Sequence, residues 1–196
     1  MTTTTPVDRY VERRKGEKNM KRIVLIFGLI SGVISSGLMF LTLPFLEQGG
    51  NDYGYVIGYT SILLSLLLVF FGIRSYRENV GNGSISFGRA FAIGILITLI
   101  SCVFYVASWE VIYFNFMPDF VEKYTARAVE KMRQKGESDA AIAETRKKMA
   151  AMKVMLDNPA TNAAMTFIEP FPVGLLVTLV SAAILRKRTA ATRLPA

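Results

Sequence analysis

Four stretches of this chain are too apolar and too long to be surface elements of a water-soluble fold. They read "IVLIFGLISGVISSGLMFLTLPFL" at 23–46, "YVIGYTSILLSLLLVFFGI" at 55–73, "AFAIGILITLISCVFYVASWEVIYFNF" at 90–116 and "GLLVTLVSAAIL" at 174–185. A helix rises 1.5 Å per residue and the hydrocarbon of a bilayer is roughly 30 Å thick, so a crossing takes about 20 residues. The first three blocks meet that length unaided. The fourth alone would reach only about 18 Å. Its helix must begin upstream, near Phe167 or earlier, and must contain Pro170 and Pro172. The expected fold class is all-α, a polytopic membrane protein with four transmembrane helices at about 23–46, 55–74, 89–116 and 165–185 within a membrane domain of residues 21–188. The polar, mixed-charge residues 1–20 are expected to be a disordered cytoplasmic tail, and 189–196 a second short one. The first block is too long for a signal-peptide core and no A-x-A site follows it, so it reads as an uncleaved span.

Lysine and arginine set the expected orientation. Seven precede residue 23, Arg74, Arg77 and Arg89 surround the second turn, and Arg186, Lys187, Arg188 and Arg193 close the chain. The opposite side carries none in "EQGGND" and nine in the 117–166 segment, where seven acidic residues accompany them. That bias places both termini in the cytoplasm and argues against dual topology.

Histidine is absent and Cys102 is the only cysteine. This composition removes disulfides, the usual zinc sites and histidine-based catalysis, and points to no metal or other cofactor. Carboxylate sites for hard cations remain open. The formal charge of +8 lies mainly beside the apolar blocks, so its partner is the lipid surface and not nucleic acid. No internal repeat marks an inverted-repeat transporter. Small residues mark expected helix contacts: Gly28 with Gly32, Gly54 with Gly58, the stripe Gly94, Thr98, Ser101, Tyr105 and Ser108, and the stripe Gly174, Thr178 and Ser181.

Three stretches together resemble a bacterial membrane family known as domain of unknown function 4199. They are "FFGIRSYRENVGNGSISFGRAFAIG" at 70–94, "YFNFMPDFVEKY" at 113–124, and the closing small-residue helix with its "RKR" end. The resemblance spans residues from about 21 to 188 and implies a four-span inner-membrane protein with an insert before the last span. It brings no catalytic or binding residue.

"GNGS" in the first of these stretches can turn sharply because glycine tolerates positive φ. Arg74, Arg77 and Arg89 would ring that turn and contact lipid headgroups. A glycine-rich loop beside arginines can also hold a phosphate, although the lysine and strand–loop–helix context of a P-loop are missing.

Residues 119–157 read as an extracytoplasmic amphipathic helical hairpin between the third and fourth spans. Asp119 and Glu122 are placed as a capping box; Phe120, Val121, Tyr124, Ala128 and Met132 share one face. Ser138 caps a second helix whose Ile142, Thr145, Met149, Met152 and Leu156 share another, until Asn158–Pro159 stops it. These stripes can pack on each other, lie on the membrane surface, or take a protein partner or second copy.

Two carboxylates fall within the spans, Glu110 and Glu169, and a charge in hydrocarbon is a functional suspect. Both are expected at the outer rim, Glu169 with Pro170 and Pro172 in the first turn of the fourth helix. As a pair they could bind a cation or relay a proton. Phase counts against that: at about 100° per residue both lie opposite the small-residue stripes, with Leu99, Val103, Leu176 and Val180. The reading reached is a non-enzymatic structural or accessory protein working through its insert. The alternative is a small oligomeric transporter or channel using Glu110 and Glu169.

Overall fold

The computed structural model describes residues 6–47 and 53–186. Seven α-helices carry the described residues: α1 (Pro6–Glu47), α2 (Tyr53–Asn79), α3 (Phe87–Val111), α4 (Phe120–Gln134), α5 (Asp139–Leu156), α6 (Pro159–Ile168) and α7 (Pro170–Leu185). A π-helical turn, Ile112–Phe116, continues α3. No strand occurs among the described residues. Among the described residues, four helical stretches are long and apolar enough to cross a membrane: Arg14–Thr42, Gly58–Asn79, Phe87–Phe116 and Pro159–Leu185. The protein is therefore a multi-pass membrane protein.

α2 and α3 form the short diagonal of the bundle. Each packs on α1 and on α7, which occupy the far corners. Small residues set the close approaches. A Cβ on Gly28 would lie 2.9 Å from Ile100, and one on Gly32 2.8 Å from the Cβ of Phe104, so α1 and α3 run in parallel register. Between α3 and α7 the fit is reciprocal. Gly94 faces Thr178 and Gly174 faces Thr98, and the two threonine hydroxyls lie 3.2 Å apart. Each glycine makes room for the other helix's threonine. Ser31 donates to the carbonyl of Ser65 at 2.8 Å and meets the Ser101 hydroxyl at 3.0 Å, joining α1, α2 and α3. Leu66, Val69, Ile73, Ile93 and Ile97 fill the space between these contacts and are almost fully buried. Gly58 departs from the expected pattern: open space surrounds it among the described residues, so no described helix packs on it. The surroundings of Gly54 lie outside the described residues.

The expected disordered tail is overturned from Pro6 onward, because α1 already begins there. A helix nucleated in the membrane extends at one hydrogen bond per residue, and Glu, Arg and Lys are good helix formers. Arg14 adds a local tie, donating to the Tyr10 hydroxyl at 2.8 Å and lying over its ring. Residues 1–5, Lys187, Arg188, Arg193 and the tail at 189–196 lie outside the described residues.

The fourth span also begins earlier than expected. Asn158 ends α5 and starts α6 at once: its Oδ1 accepts from the N–H groups of Ala160 and Thr161 at 3.0 and 3.3 Å, with Pro159 in the first turn. The span thus runs 159–185, not 165–185, and Pro170 and Pro172 sit inside it.

The insert is a hairpin of α4 and α5, with Val129 and Ile142 buried. Ser138 caps α5 as expected, accepting from Ala141 N–H at 3.2 Å. Asp119 makes no capping hydrogen bond to α4. Lys123 holds it instead at 2.8 Å, so the expected capping box is replaced by an ion pair. Below, the end carrying the hairpin is the insert end; the end with the α2–α3 turn is the turn end.

Candidate functional site

Glu169 is the hinge residue between α6 and α7. Its N–H reaches back to Thr166 carbonyl at 3.3 Å. Pro170 and Pro172 follow, and Pro172 has no N–H to give Ile168's carbonyl at the usual spacing. The helix is therefore interrupted within the span, about 15 Å from its start at Pro159. The fourth apolar stretch thus has ten residues ahead of Glu169, which the sequence alone placed in the first turn of its helix.

The Tyr105 hydroxyl donates to Glu169 Oε2 at 2.9 Å, linking α3 to the break. Glu169 is nonetheless exposed on the bundle surface, beside Ile168, Leu176 and Val180, which are 66, 61 and 48 % exposed. Its phase thus matches the outward stripe, and its reach does not. A glutamate extends far enough round its helix to meet a tyrosine on the packed face. Tyr59 of α2 lies within electrostatic reach of Tyr105.

Glu110 sits about 9 Å from the end of the third span, next to Trp109. It is half-buried, with Oε1 enclosed and without a hydrogen-bond partner. No hydrogen bond joins Glu110 to Glu169 among the described residues. The two carboxylates differ in depth and in surroundings: one in the apolar zone with a tyrosine, one near the insert end.

Sequence reasoning missed the polar knot beside Glu110. Asn162 on α6 is fully buried. Its Oδ1 accepts from Trp109 Nε1 at 3.0 Å and from the Thr166 hydroxyl at 3.2 Å, and its Nδ2 donates to the Leu156 carbonyl at 2.9 Å. One turn higher, Tyr113 donates to Asp157 Oδ1 at 2.9 Å. Lys153 binds Asp157 at 2.9 Å and Glu122 at 3.2 Å, tying α5 to α4. Those contacts hold the Asp157 carboxyl below its ordinary value, Lys153 first and Tyr113 second. They raise the Lys153 ammonium, through Asp157 first and Glu122 second. Tyr113, Val121 and Leu156 form a small core under Trp109, Phe120 and Met152. The insert is fastened to the end of the third span. A lone asparagine in an apolar run, facing the chain's only tryptophan, was the available signal.

At the turn end, Arg74 and Arg77 lie on the last turns of α2 and Arg89 on the first of α3. Arg74 lines an open groove of about 420 Å³ with Phe27, Leu68 and Phe71. Arg77 pairs with Glu78, and Arg89 is exposed. The turn uses φ of 48° at Asn82 and 78° at Gly83. Its N–H groups point inward: Gly81 to Tyr76 carbonyl, Gly83 to Arg77 carbonyl and Ser84 to Gly81 carbonyl, all within 3.0 Å. A phosphate cradle would need those donors free, so the phosphate reading of this loop is not supported.

Residues 26–187 match the family described as "Protein of unknown function (DUF4199)". The chain belongs to that family. No curated protein and no solved structure matches it. The DUF4199 match takes in the first span from residue 26, the other three spans and the insert, so the broken fourth span and the fastened hairpin both lie within the family region.

Proposed function

We propose that this DUF4199 protein is a non-enzymatic accessory subunit of the bacterial inner membrane, binding another membrane protein. Both termini are cytoplasmic in this reading, because the basic residues concentrate at the turn end. The hairpin then stands outside the membrane, and Arg74, Arg77 and Arg89 meet lipid headgroups. The observation that carries the interaction role is Glu169, an exposed carboxylate within the apolar zone. Facing lipid, such a group is costly, and covering it with protein removes the cost. The fastened hairpin supports the same role, since a rigid platform binds without first losing conformational freedom.

The test is photo-crosslinking in native membranes from single positions on two faces: Glu144 and Lys148 on the hairpin, Ile168 and Leu176 on the fourth span. A discrete adduct from either face is the expected result. Absence of adducts from both faces, together with a monomer in mild detergent, would refute the accessory reading.

The helix break favours a second reading, transport or conduction, because interrupted spans line ion paths in transporters. Flux measurements on Glu110 and Glu169 variants distinguish it.

A further inference from the structure

The polar groups at the break do not balance. Glu169 offers two carboxylate oxygens, and Pro172 withholds the N–H that Ile168's carbonyl would ordinarily take. Among the described residues, the donor placed there from outside α6 and α7 is the Tyr105 hydroxyl, already committed to Oε2. What the exposed side of this notch lacks is a donor, and most of all a positive one.

A second copy of the chain does not carry a cation at that depth. Every lysine and arginine in the described spans lies toward the turn end. Gly72 meets Ile97, so Arg74 lies about ten residues, or some 15 Å, below the level of Tyr105. Above the notch, Lys153 binds Asp157, which lies about 18 Å up the fourth span from Glu169. The cations described for the spans and the anchorage lie at the two ends, and among the described residues the level of Glu169 has none.

We propose that the face bearing Ile168, Glu169, Leu176 and Val180 docks a transmembrane helix of another protein. That helix carries one lysine or arginine at the depth of Glu169. The notch gives it the exposed carboxylate oxygen, and the apolar side chains around it pack against its flanks. A basic residue within a span is itself costly in lipid, so each partner removes the other's cost. This rests on the accessory reading and names its partner's chemistry.

The experiment uses the full-length protein in liposomes and synthetic 21-residue leucine–alanine spans carrying a dansyl acceptor. Trp109, the chain's only tryptophan, is the energy-transfer donor. Five peptides are compared: lysine at the depth of Glu169, lysine two turns nearer one end, lysine two turns nearer the other, glutamine at the Glu169 depth, and leucine there. The matched lysine peptide is expected to bind roughly tenfold more tightly than the leucine peptide, a difference of one decade in the dissociation constant. Shifted lysines should lose most of that gain, and Glu169→Gln should abolish it, whereas Tyr105→Phe should keep it. The depth comparison needs no variant, so the proposal stays testable if Glu169→Gln fails to fold. Equal binding of lysine and leucine peptides would overturn it, as would a lysine preference that survives Glu169→Gln. So would a wild-type dimer that Glu169→Gln converts to monomer, since a second copy would then cover the notch. Peptide failure alongside adducts in native membranes would remove only the basic partner helix and leave the accessory reading standing.

Discussion

Asn162 is the residue whose removal has the most legible consequence. It is fully buried and makes three hydrogen bonds, to Trp109, Thr166 and the Leu156 carbonyl. Each is worth about 1 kcal/mol net, and a buried group left unpaired costs about 1–3 kcal/mol. In Asn162→Ala, Thr166 can turn its hydroxyl back to a carbonyl of its own helix. Trp109 N–H and the Leu156 carbonyl have no such substitute. The expected loss is therefore about 3 kcal/mol, roughly a hundredfold in the folding constant. Thr166→Val removes one bond and should cost only about 1 kcal/mol.

The assay follows directly from composition. With one tryptophan in the chain, intrinsic emission reports the knot and nothing else. Unfolding from mild detergent by added dodecyl sulfate should show a lower midpoint for Asn162→Ala, and an emission shift before the main transition as the hairpin's anchor loosens. Thr166→Val should shift the midpoint by about a third as much. A midpoint for Asn162→Ala within error of Thr166→Val, with unchanged emission, would refute the assignment of Asn162 as the fastening between the third and fourth spans.

Gly174→Ala should destabilise the bundle by about 1–3 kcal/mol through overpacking, because a Cβ there meets Thr98 Cγ2; adding Thr98→Ser should recover most of it in the same unfolding assay. Gly58→Ala, in open space, should be neutral or stabilising by up to about 1 kcal/mol. The hairpin's anchorage should depend on pH only at the extremes. The Asp157 carboxyl is held below its ordinary 3.8, so its contribution is complete above that value and is lost as pH falls through the lower folded-state value. Lys153 is raised above 10.5, so its contribution is complete below that value and disappears as pH rises through the higher one. Amide-exchange protection of α4 and α5 should therefore be flat from about pH 5 to 10 and fall outside that window. Liposomes containing the protein should pass protons and monovalent cations no faster than those containing a Glu110→Gln/Glu169→Gln variant; faster flux that the variant abolishes would favour the transport reading.

The spans were legible because crossing a bilayer imposes a length and an apolar composition that a sequence displays directly. The α3–α7 contact was legible for a related reason. A glycine beside a threonine at the right spacing permits only a close approach, and the reciprocal fit of Gly94, Thr98, Gly174 and Thr178 follows. Gly58 carries the same signal and meets no helix, since a small residue permits a neighbour without supplying one. The tail's helicity was hidden because composition alone cannot say whether a polar segment is joined to a formed helix.

The break in the fourth span was misread for a more general reason. Asn158–Pro159 ends one helix as readily as it begins another: the asparagine side chain satisfies the new helix's first N–H groups, and proline needs none. Reading it only as a stop moved the start of the span to the prolines and pushed Glu169 to the rim. Restoring α6 starts the span six residues earlier, at Pro159 in place of 165, and sets the carboxylate deeper within the apolar stretch. The same prolines that looked like a beginning are then an interruption, and an interruption next to a carboxylate needs compensation that a helix start does not. Tyr105 supplies one hydrogen bond. The exposed remainder of the carboxylate is the feature for which an unbroken, lipid-facing helix would have no use, and on it the case for a partner in the membrane rests.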